Sequence, residues 1–135
     1  MTRKSEASGK RDGRTTKTRE NVKKIATELL IQGGLHRTSF RDIADRLGIT
    51  TTNIHYHFGN KQQLVEEVVR DYVESTRERH AGIWLDESLT LPAKMAGAVD
   101  FNRQRYDRFN KGRISGQAWS LIGRLRLEGD ALSPG

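Results

Sequence analysis

The chain has 135 residues, the length of one domain or of one small domain with part of a second, and it is short for a multi-domain enzyme. Apolar residues make up 34% and charged residues 30%, a balance typical of a chain that folds. The absence of cysteine excludes disulfides, thiolate metal sites and cysteine nucleophiles. No apolar run is long enough for a membrane span or a signal peptide, so we expect a soluble, cytoplasmic protein.

The net charge of +7 arises mainly in the N-terminal part of the chain. Residues 1–60 contain 12 basic and 6 acidic side chains, a net charge of +6, whereas residues 61–135 contain 12 and 11, a net charge of +1. This asymmetry favours a polyanionic partner, and nucleic acid rather than a membrane, because no apolar face accompanies the charge. A charged solubilising tail is the alternative interpretation.

The first helix is predicted to begin after a basic arm. Residues 1–17 show no apolar periodicity, and we expect them to form a flexible basic arm. Thr18 is the expected N-cap of helix 1, and Gly33 and Gly34 provide its C-terminal stop. Its apolar residues recur at the spacing of one helical face: Val22, Ile25, Ala26, Leu29 and Leu30.

Two short helices are predicted on either side of a glycine turn. Ser39 opens a capping-box pattern that predicts helix 2 over residues 40–47, and Gly48 stops it. Thr50 then caps helix 3 over residues 51–58. This layout is that of a helix-turn-helix, whose second helix docks in the DNA major groove.

Three further helices are predicted in the rest of the chain. Asn60 caps a fourth helix that extends to about residue 80, and Pro92 opens a fifth that ends near Gly112. A last helix is followed by Gly129 and a Pro134-Gly135 ending. The respective stripes are Leu64, Val65, Val68, Val69, Tyr72 and Val73; Met95, Ala96, Val99, Arg103, Tyr106 and Phe109; and Ile114, Ala118, Leu121, Ile122 and Leu125. No alternating strand pattern and no internal repeat occurs, so the sequence predicts an all-α fold.

Residues 38–68 carry a set of motifs in a fixed order: Ser39 followed by RDIA, then LGI, HF and GNK leading to Leu64. With the glycine pair that ends helix 1, this order resembles the DNA-binding domain of the tetracycline-repressor (TetR) family of bacterial transcription regulators. The resemblance covers residues 18–75. It implies a three-helix DNA-binding domain at 18–66, a long connecting helix, and a partial ligand-binding and dimerisation domain at 67–135.

The candidate DNA contacts on helix 3 follow from its rotation of about 100° per residue. Ile54 and Phe58 are four residues apart and are expected to point to the core, which places Thr52 and Tyr56 on the outer side. Threonine and asparagine read base edges, and a tyrosine hydroxyl reaches a phosphate. The remaining candidates are Asn53 and His55 on the flanks and Thr51 and His57 nearer the core side.

The candidate phosphate contacts lie at helix starts. Lys61 is in the first turn of helix 4, where the helix dipole favours an anion, so a bound phosphate would offset its unfavourable position. The resemblance implies that Lys61, Ser39 and Arg41 contact the DNA backbone, although Ser39 also serves as a cap. The family motif often has tyrosine where this chain has His55, so we expect the phosphate contact to have moved to Tyr56.

No metal, cofactor or catalytic site is expected. Side chains two residues apart on a helix diverge by roughly 200°, so His55 and His57 do not form a metal pair. His36 and His80 have no cluster of ligands near them in sequence. No nucleophile motif or phosphate-binding loop is present, and the chain is not expected to be an enzyme.

The C-terminal half permits two interpretations. Its large side chains line a small-molecule cavity, as the resemblance implies, or form an ordinary core: Trp84, Met95, Phe101, Tyr106, Phe109 and Trp119. Similar regulators continue well beyond the length of this chain and dimerise through their late helices, so the chain looks truncated. We therefore expect a monomer or a polydisperse aggregate with exposed Tyr106, Phe109, Leu121, Ile122 and Leu125.

These features predict a sequence-specific DNA-binding transcription regulator, a ligand-responsive repressor that binds double-stranded DNA and a small-molecule effector, with a homodimer as the full-length form. The alternative is a small helical interaction or adaptor protein that keeps the fold without binding an operator. The operator, the effector and the regulated genes do not follow from the sequence.

Overall fold

The computed structural model describes residues 2–111 and 116–128. Within these residues the chain forms helices and no strand, so the predicted all-α fold is confirmed. The helices are α1 (Thr2–Gly33), α2 (Phe40–Leu47), α3 (Thr51–Phe58), α4 (Lys61–Trp84), α5 (Leu91–Phe109) and α6 (Leu121–Leu127). No described helix is long and apolar enough to cross a membrane.

A polar side chain caps the start of each helix after α1. Ser39, Thr50 and Asn60 accept hydrogen bonds from the backbone amides three residues later, as the sequence predicts. Thr90 and Ser120 do the same for α5 and α6. These caps satisfy amides that have no partner within the helix, and so they set where each helix begins.

The first helix begins at Thr2, so the predicted start and N-cap at Thr18 are wrong. The basic segment of residues 2–17 is a helical extension of α1, and its described side chains from residue 13 to residue 17 are all exposed. The segment contains no proline, and six of its sixteen residues are Lys or Arg, which favour helix. Extension from the packed turns of α1 requires no new nucleation, so the helix continues without an apolar face.

The core surrounds α1, which packs against α2, α4 and α6. Its largest fully buried side chains are Leu30, Ile43, Ile54, Leu64, Leu121, Val22 and Val68. The stripes predicted for α1 and for the first half of α4 therefore face this core, whereas Val73 is 47% exposed. Because one cluster joins α6 to the first four helices, α6 completes the core of the N-terminal region.

The prediction for the last helix is wrong in two respects. Helix α6 begins at Leu121, after Ala118, because Ser120 caps it. Leu121 and Leu125 are buried at 0% and 7% exposure against α1 and α4, so they are not the exposed face expected for them. The predicted positions Ile114, Gly112, Gly129, Pro134 and Gly135 lie outside the described residues.

Helix α5 packs on α4 through a face that differs from its predicted stripe. Phe101 is buried, whereas Met95 and Val99 are 55% and 60% exposed. A Cβ on Gly97 would lie 3.5 Å from Ile83 of α4, so the inner face of α5 approaches α4 through small residues. Counting apolar residues alone therefore selects the wrong face of α5, since small and amphipathic side chains form the contact.

Candidate nucleic-acid interface

The turn between α2 and α3 leaves one side of α3 exposed to solvent. Gly48 adopts the left-handed conformation with φ 66°, and its N–H donates to the carbonyl of Ala44. Ile54 and Phe58 anchor α3 in the core, with exposures of 0% and 4%, which confirms their predicted direction. Anchoring by these two residues leaves the opposite side of α3 free of packing.

The outer side of α3 presents polar side chains. Tyr56 is 83% exposed, and Thr52 one turn earlier is also exposed. Asn53 and His57 are half-buried on the two flanks. Thr51 is exposed and not turned towards the core as expected, because it is the first residue of α3 and precedes the packed turns.

His55 has contacts within the protein that the sequence does not reveal. Its Nδ1 lies 2.9 Å from the carbonyl oxygen of Gly59, and its ring meets the ring of Phe40 edge-on with centroids 4.6 Å apart. The imidazole is therefore hydrogen-bonded to a carbonyl just past the end of α3, and it packs against α2. Its outward nitrogen, Nε2, is the atom that remains for a ligand.

The start of α2 carries Ser39 and Arg41. The hydroxyl of Ser39 accepts from the N–H of Asp42 at 3.1 Å and donates to Asp42 Oδ2 at 2.8 Å. Arg41 extends into solvent from the first turn of α2. Ser39 is thus committed to capping, whereas Arg41 is available to a partner.

Lys61 is the first residue of α4, and its ammonium donates to the backbone carbonyl of Leu35 in the turn between α1 and α2. The ammonium of Lys61 is unfavourable near the positive end of the helix dipole, and the bond to the carbonyl of Leu35 compensates for this within the protein. An ammonium has three donors, and the bond to Leu35 uses one of them.

Arg19 joins α1 to the end of α3, a role that was not predicted from the sequence. Its guanidinium donates to both carboxylate oxygens of Glu67, at 2.7 and 2.8 Å, and to the carbonyl of His57. It also lies 4.4 Å from the ring centroid of Phe58. Arg19 precedes Val22 by three residues, so it shares the inward face of α1, and this spacing is the signal that could have identified it.

A second ion pair fastens α1 to α4 beside Arg19. Lys23 Nζ lies 2.6 Å from Asp71 Oδ2 and 3.5 Å from Glu67 Oε1. The hydrogen bond to Asp71, together with the charges of both carboxylates, raises the pKa of Lys23 against the opposing effect of burial. Helix α3 is therefore attached, through Arg19, to the ion pairs between α1 and α4.

Residues 24–68 match the sequence model of the family described as bacterial regulatory proteins, tetR family. This segment, one third of the chain, is therefore similar to that family. The matched residues include α2, the turn and α3, so the matched segment contains the polar surface described above.

Two named transcriptional repressors are similar to part of the chain. The HTH-type transcriptional repressor KstR2 of Mycolicibacterium smegmatis is 35% identical over 79 residues, which cover 58% of this chain and 38% of that protein. KstR2 of Rhodococcus jostii is 35% identical over 72 residues, which cover 51% and 35%. The chain thus spans well under half the length of these curated relatives.

A solved structure supports the same fold over a longer range. The crystal structure of a TetR transcriptional regulator from Legionella pneumophila superposes with a TM-score of 0.72 and 26% identity, covering 86% of this chain and 59% of that chain. This coverage extends beyond the matched family segment, so the arrangement of the later helices also resembles that of a TetR regulator.

Proposed function

We propose that the chain acts as a sequence-specific DNA-binding transcription regulator of the repressor type, with α3 in the major groove. The observation that carries the proposal is the outer side of α3, where Thr52 and the 83% exposed Tyr56 stand opposite the buried Ile54 and Phe58. Two relatives that match the chain are named transcriptional repressors, which supports the same function.

The proposed base contacts are Thr52 and Asn53. A threonine hydroxyl and methyl match a base edge or the thymine methyl group, and an asparagine amide matches adenine. The hydroxyl of Tyr56 reaches a phosphate. Nε2 of His55, which is an acceptor when Nδ1–H donates to the carbonyl of Gly59, is a further proposed contact. Further proposed contacts at the margins of α3 are Thr51 and His57.

The proposed phosphate contacts are Arg41 and Lys61, with Ser39 as a weaker third. Arg41 is exposed, and Lys61 keeps two donors after its bond to Leu35. The helical extension of α1 is proposed to add sequence-independent contacts beside the main site, because its basic residues are close together: Arg3, Lys4, Lys10, Arg11, Arg14 and Lys17.

Residues 67–135 are proposed to belong to a regulatory part that binds a small-molecule effector. For the full-length protein we extend the proposal to assembly as a homodimer, which reads two half-sites about one turn of DNA apart, roughly 34–36 Å. The division at residue 66 is functional only, since α4 continues through it and α6 packs on α1. A catalytic role is not proposed.

The test is a selection from a randomised duplex library with the 135-residue chain, followed by fluorescence anisotropy on an enriched duplex and on its scrambled control. We expect the enriched duplex to bind at least about 100-fold more tightly and the affinity to fall steeply between about 50 and 300 mM salt. No enrichment, together with salt-independent binding, would support the helical interaction protein instead.

A further inference from the structure

An open cleft of about 260 Å³ lies between α1, α4, α5 and the segment before α6. None of the nine proposed DNA contacts lines it. Three aromatic side chains form its apolar walls, namely Tyr72 from α4, Phe109 from α5 and Trp119 from the segment before α6. A ring-shaped apolar group therefore has flat surfaces to stack against.

The charged groups of the cleft carry an excess of positive charge. Lys24, Arg105 and Arg108 line it, and Glu28 is its one carboxylate among the lining residues that the structure describes. Arg108 donates to Glu28 Oε1, and Arg46 of α2 lies 3.6 Å from Glu28 Oε2. The carboxylate of Glu28 is thus already paired with two arginines, Arg46 and Arg108.

Lys24 and Arg105, by contrast, form no ion pair among the residues that the structure describes. In the described part of the chain, neither is within 4 Å of a carboxylate. The guanidinium of Arg105 is held by Thr76 Oγ1 at 2.9 Å and by the ring of Tyr72, whose centroid is 4.5 Å away. Arg105 is therefore oriented by neutral groups and retains its full charge, which favours an anionic ligand.

We infer that this cleft binds a small organic anion with an apolar ring, a cyclic monocarboxylate. Its carboxylate pairs with Lys24 and Arg105, and its ring packs against Phe109 and Trp119. Lys24 belongs to α1 and Arg105 to α5, so the bound carboxylate bridges the two helices. Ligand binding thus changes how α5 is held to α1, and this regulatory consequence rests on the proposed function.

The test uses Trp119 as a local reporter. The chain has two tryptophans, so Trp84→Phe leaves Trp119 alone in the 135-residue protein. Titration with cyclohexanecarboxylate, which does not absorb at the excitation wavelength, should change its fluorescence saturably with a midpoint at or below about 1 mM, the scale for a ligand of this size. The uncharged cyclohexanecarboxamide should bind at least about tenfold more weakly. Equal binding of the two probes, or no saturable change up to about 20 mM, would overturn the assignment.

Matched variants localise the site. Lys24→Gln and Arg105→Gln should each raise the midpoint about tenfold, whereas Arg103→Gln on the exposed side of α5 should leave it unchanged. Circular dichroism checks that each variant folds. If Arg105→Gln unfolds, Lys24→Gln decides, because Lys24 is exposed. An unchanged midpoint in folded Lys24→Gln would contradict the proposed pairing.

A second readout separates this inference from the proposed function. Saturating cyclohexanecarboxylate should change the affinity of the chain for its enriched duplex at least about threefold, and it should not do so in Lys24→Gln. Loss of DNA binding in every condition would refute the proposed function and leave the Trp119 titration intact. Ligand binding with unchanged DNA affinity would refute the regulatory consequence alone.

Discussion

The carboxylate of Glu128 accepts a hydrogen bond from the backbone N–H of Leu35, with 2.8 Å between Oε2 and the nitrogen. Lys61 donates to the carbonyl of the same residue, so Leu35 is held from the end of α6 and from the start of α4. A Cβ on Gly34, which has a φ of 84°, would lie 1.8 Å from Glu128 Oε1, and this position therefore requires glycine. The turn that precedes α2 and α3 is thus attached to the C-terminal part of the chain.

Replacement of Glu128 should weaken this attachment. Glu128→Ala leaves the amide of Leu35 without its partner, and we expect the free energy of unfolding to fall by about 1–3 kcal/mol. Urea denaturation followed by circular dichroism measures it. Glu87→Ala, which removes an exposed carboxylate, is the control and should change stability by less than about 0.5 kcal/mol. Equal effects of the two substitutions would show that the bond to Leu35 contributes nothing.

Lys61→Ala should reduce DNA affinity about equally for all sequences and flatten the slope of log affinity against log salt by about one unit. The reason is the loss of one phosphate contact. Because Lys61 also donates to Leu35, the variant should lose about 1 kcal/mol of stability as well. Anisotropy titrations across a salt series measure the slope, and Lys111→Ala controls for the change in net charge. A selective loss for one duplex would contradict a backbone contact.

Thr52→Ala should instead relax the preference for one base pair, at a cost of roughly 1–3 kcal/mol at that position, and Asn53→Ala should do the same at a neighbouring position. Both side chains lie outside the core, so stability should change little. Competition with single-base variants of the enriched duplex reveals the position. Gln62→Ala on the exposed start of α4 is the matched control. An equal loss of affinity for all competitor duplexes would instead show that Thr52 contacts the DNA backbone.

The pair of Lys23 with Asp71 predicts a defined loss of stability in alkali. The folded-state pKa of Lys23 is raised above the ordinary value of 10.5, so the pair stabilises the fold below that pH and is lost as the pH rises through the raised pKa. The difference in unfolding free energy between the wild type and Lys23→Met should therefore shrink above pH 10.5. Lys17→Met, which removes a lysine at an exposed position, is the control for the loss of one positive charge.

Deletion of residues 1–15 should lower DNA affinity at low salt without unfolding the core, because the buried residues that the structure describes in α1 begin at Val22. The far-ultraviolet helical signal should fall in proportion to the residues removed. Thermal unfolding checks that the core remains. If affinity at low ionic strength does not change, the extension only adds solubility.

The elements that depend on local chemistry could be predicted from the sequence. Ser39, Thr50 and Asn60 cap α2, α3 and α4, and each bond spans three residues, so capping patterns and helical spacing suffice. The two faces of α3 follow from the same rotation, with Ile54 buried and Tyr56 exposed.

Contacts between distant parts of the chain could not be predicted in this way. Leu35 and Glu128 are 93 residues apart, and no spacing rule connects them. The burial of Leu125 depends on the return of α6 to α1, and it makes an apolar side chain part of the core where the sequence suggested an exposed face. Charged side chains such as Arg19 were missed because periodicity rules count apolar residues.

The return of α6 to α1 has a consequence for synthesis of the protein on the ribosome. Helix α1 emerges first, whereas Leu121 and Leu125, which cover it, follow about 90 residues after Leu30. At a synthesis rate of 5–20 residues per second, the apolar face of α1 remains uncovered by α6 for roughly 5–20 s. A nascent chain that pauses before α6 emerges therefore displays an incomplete core, which makes that stretch of translation the period of greatest demand for a chaperone.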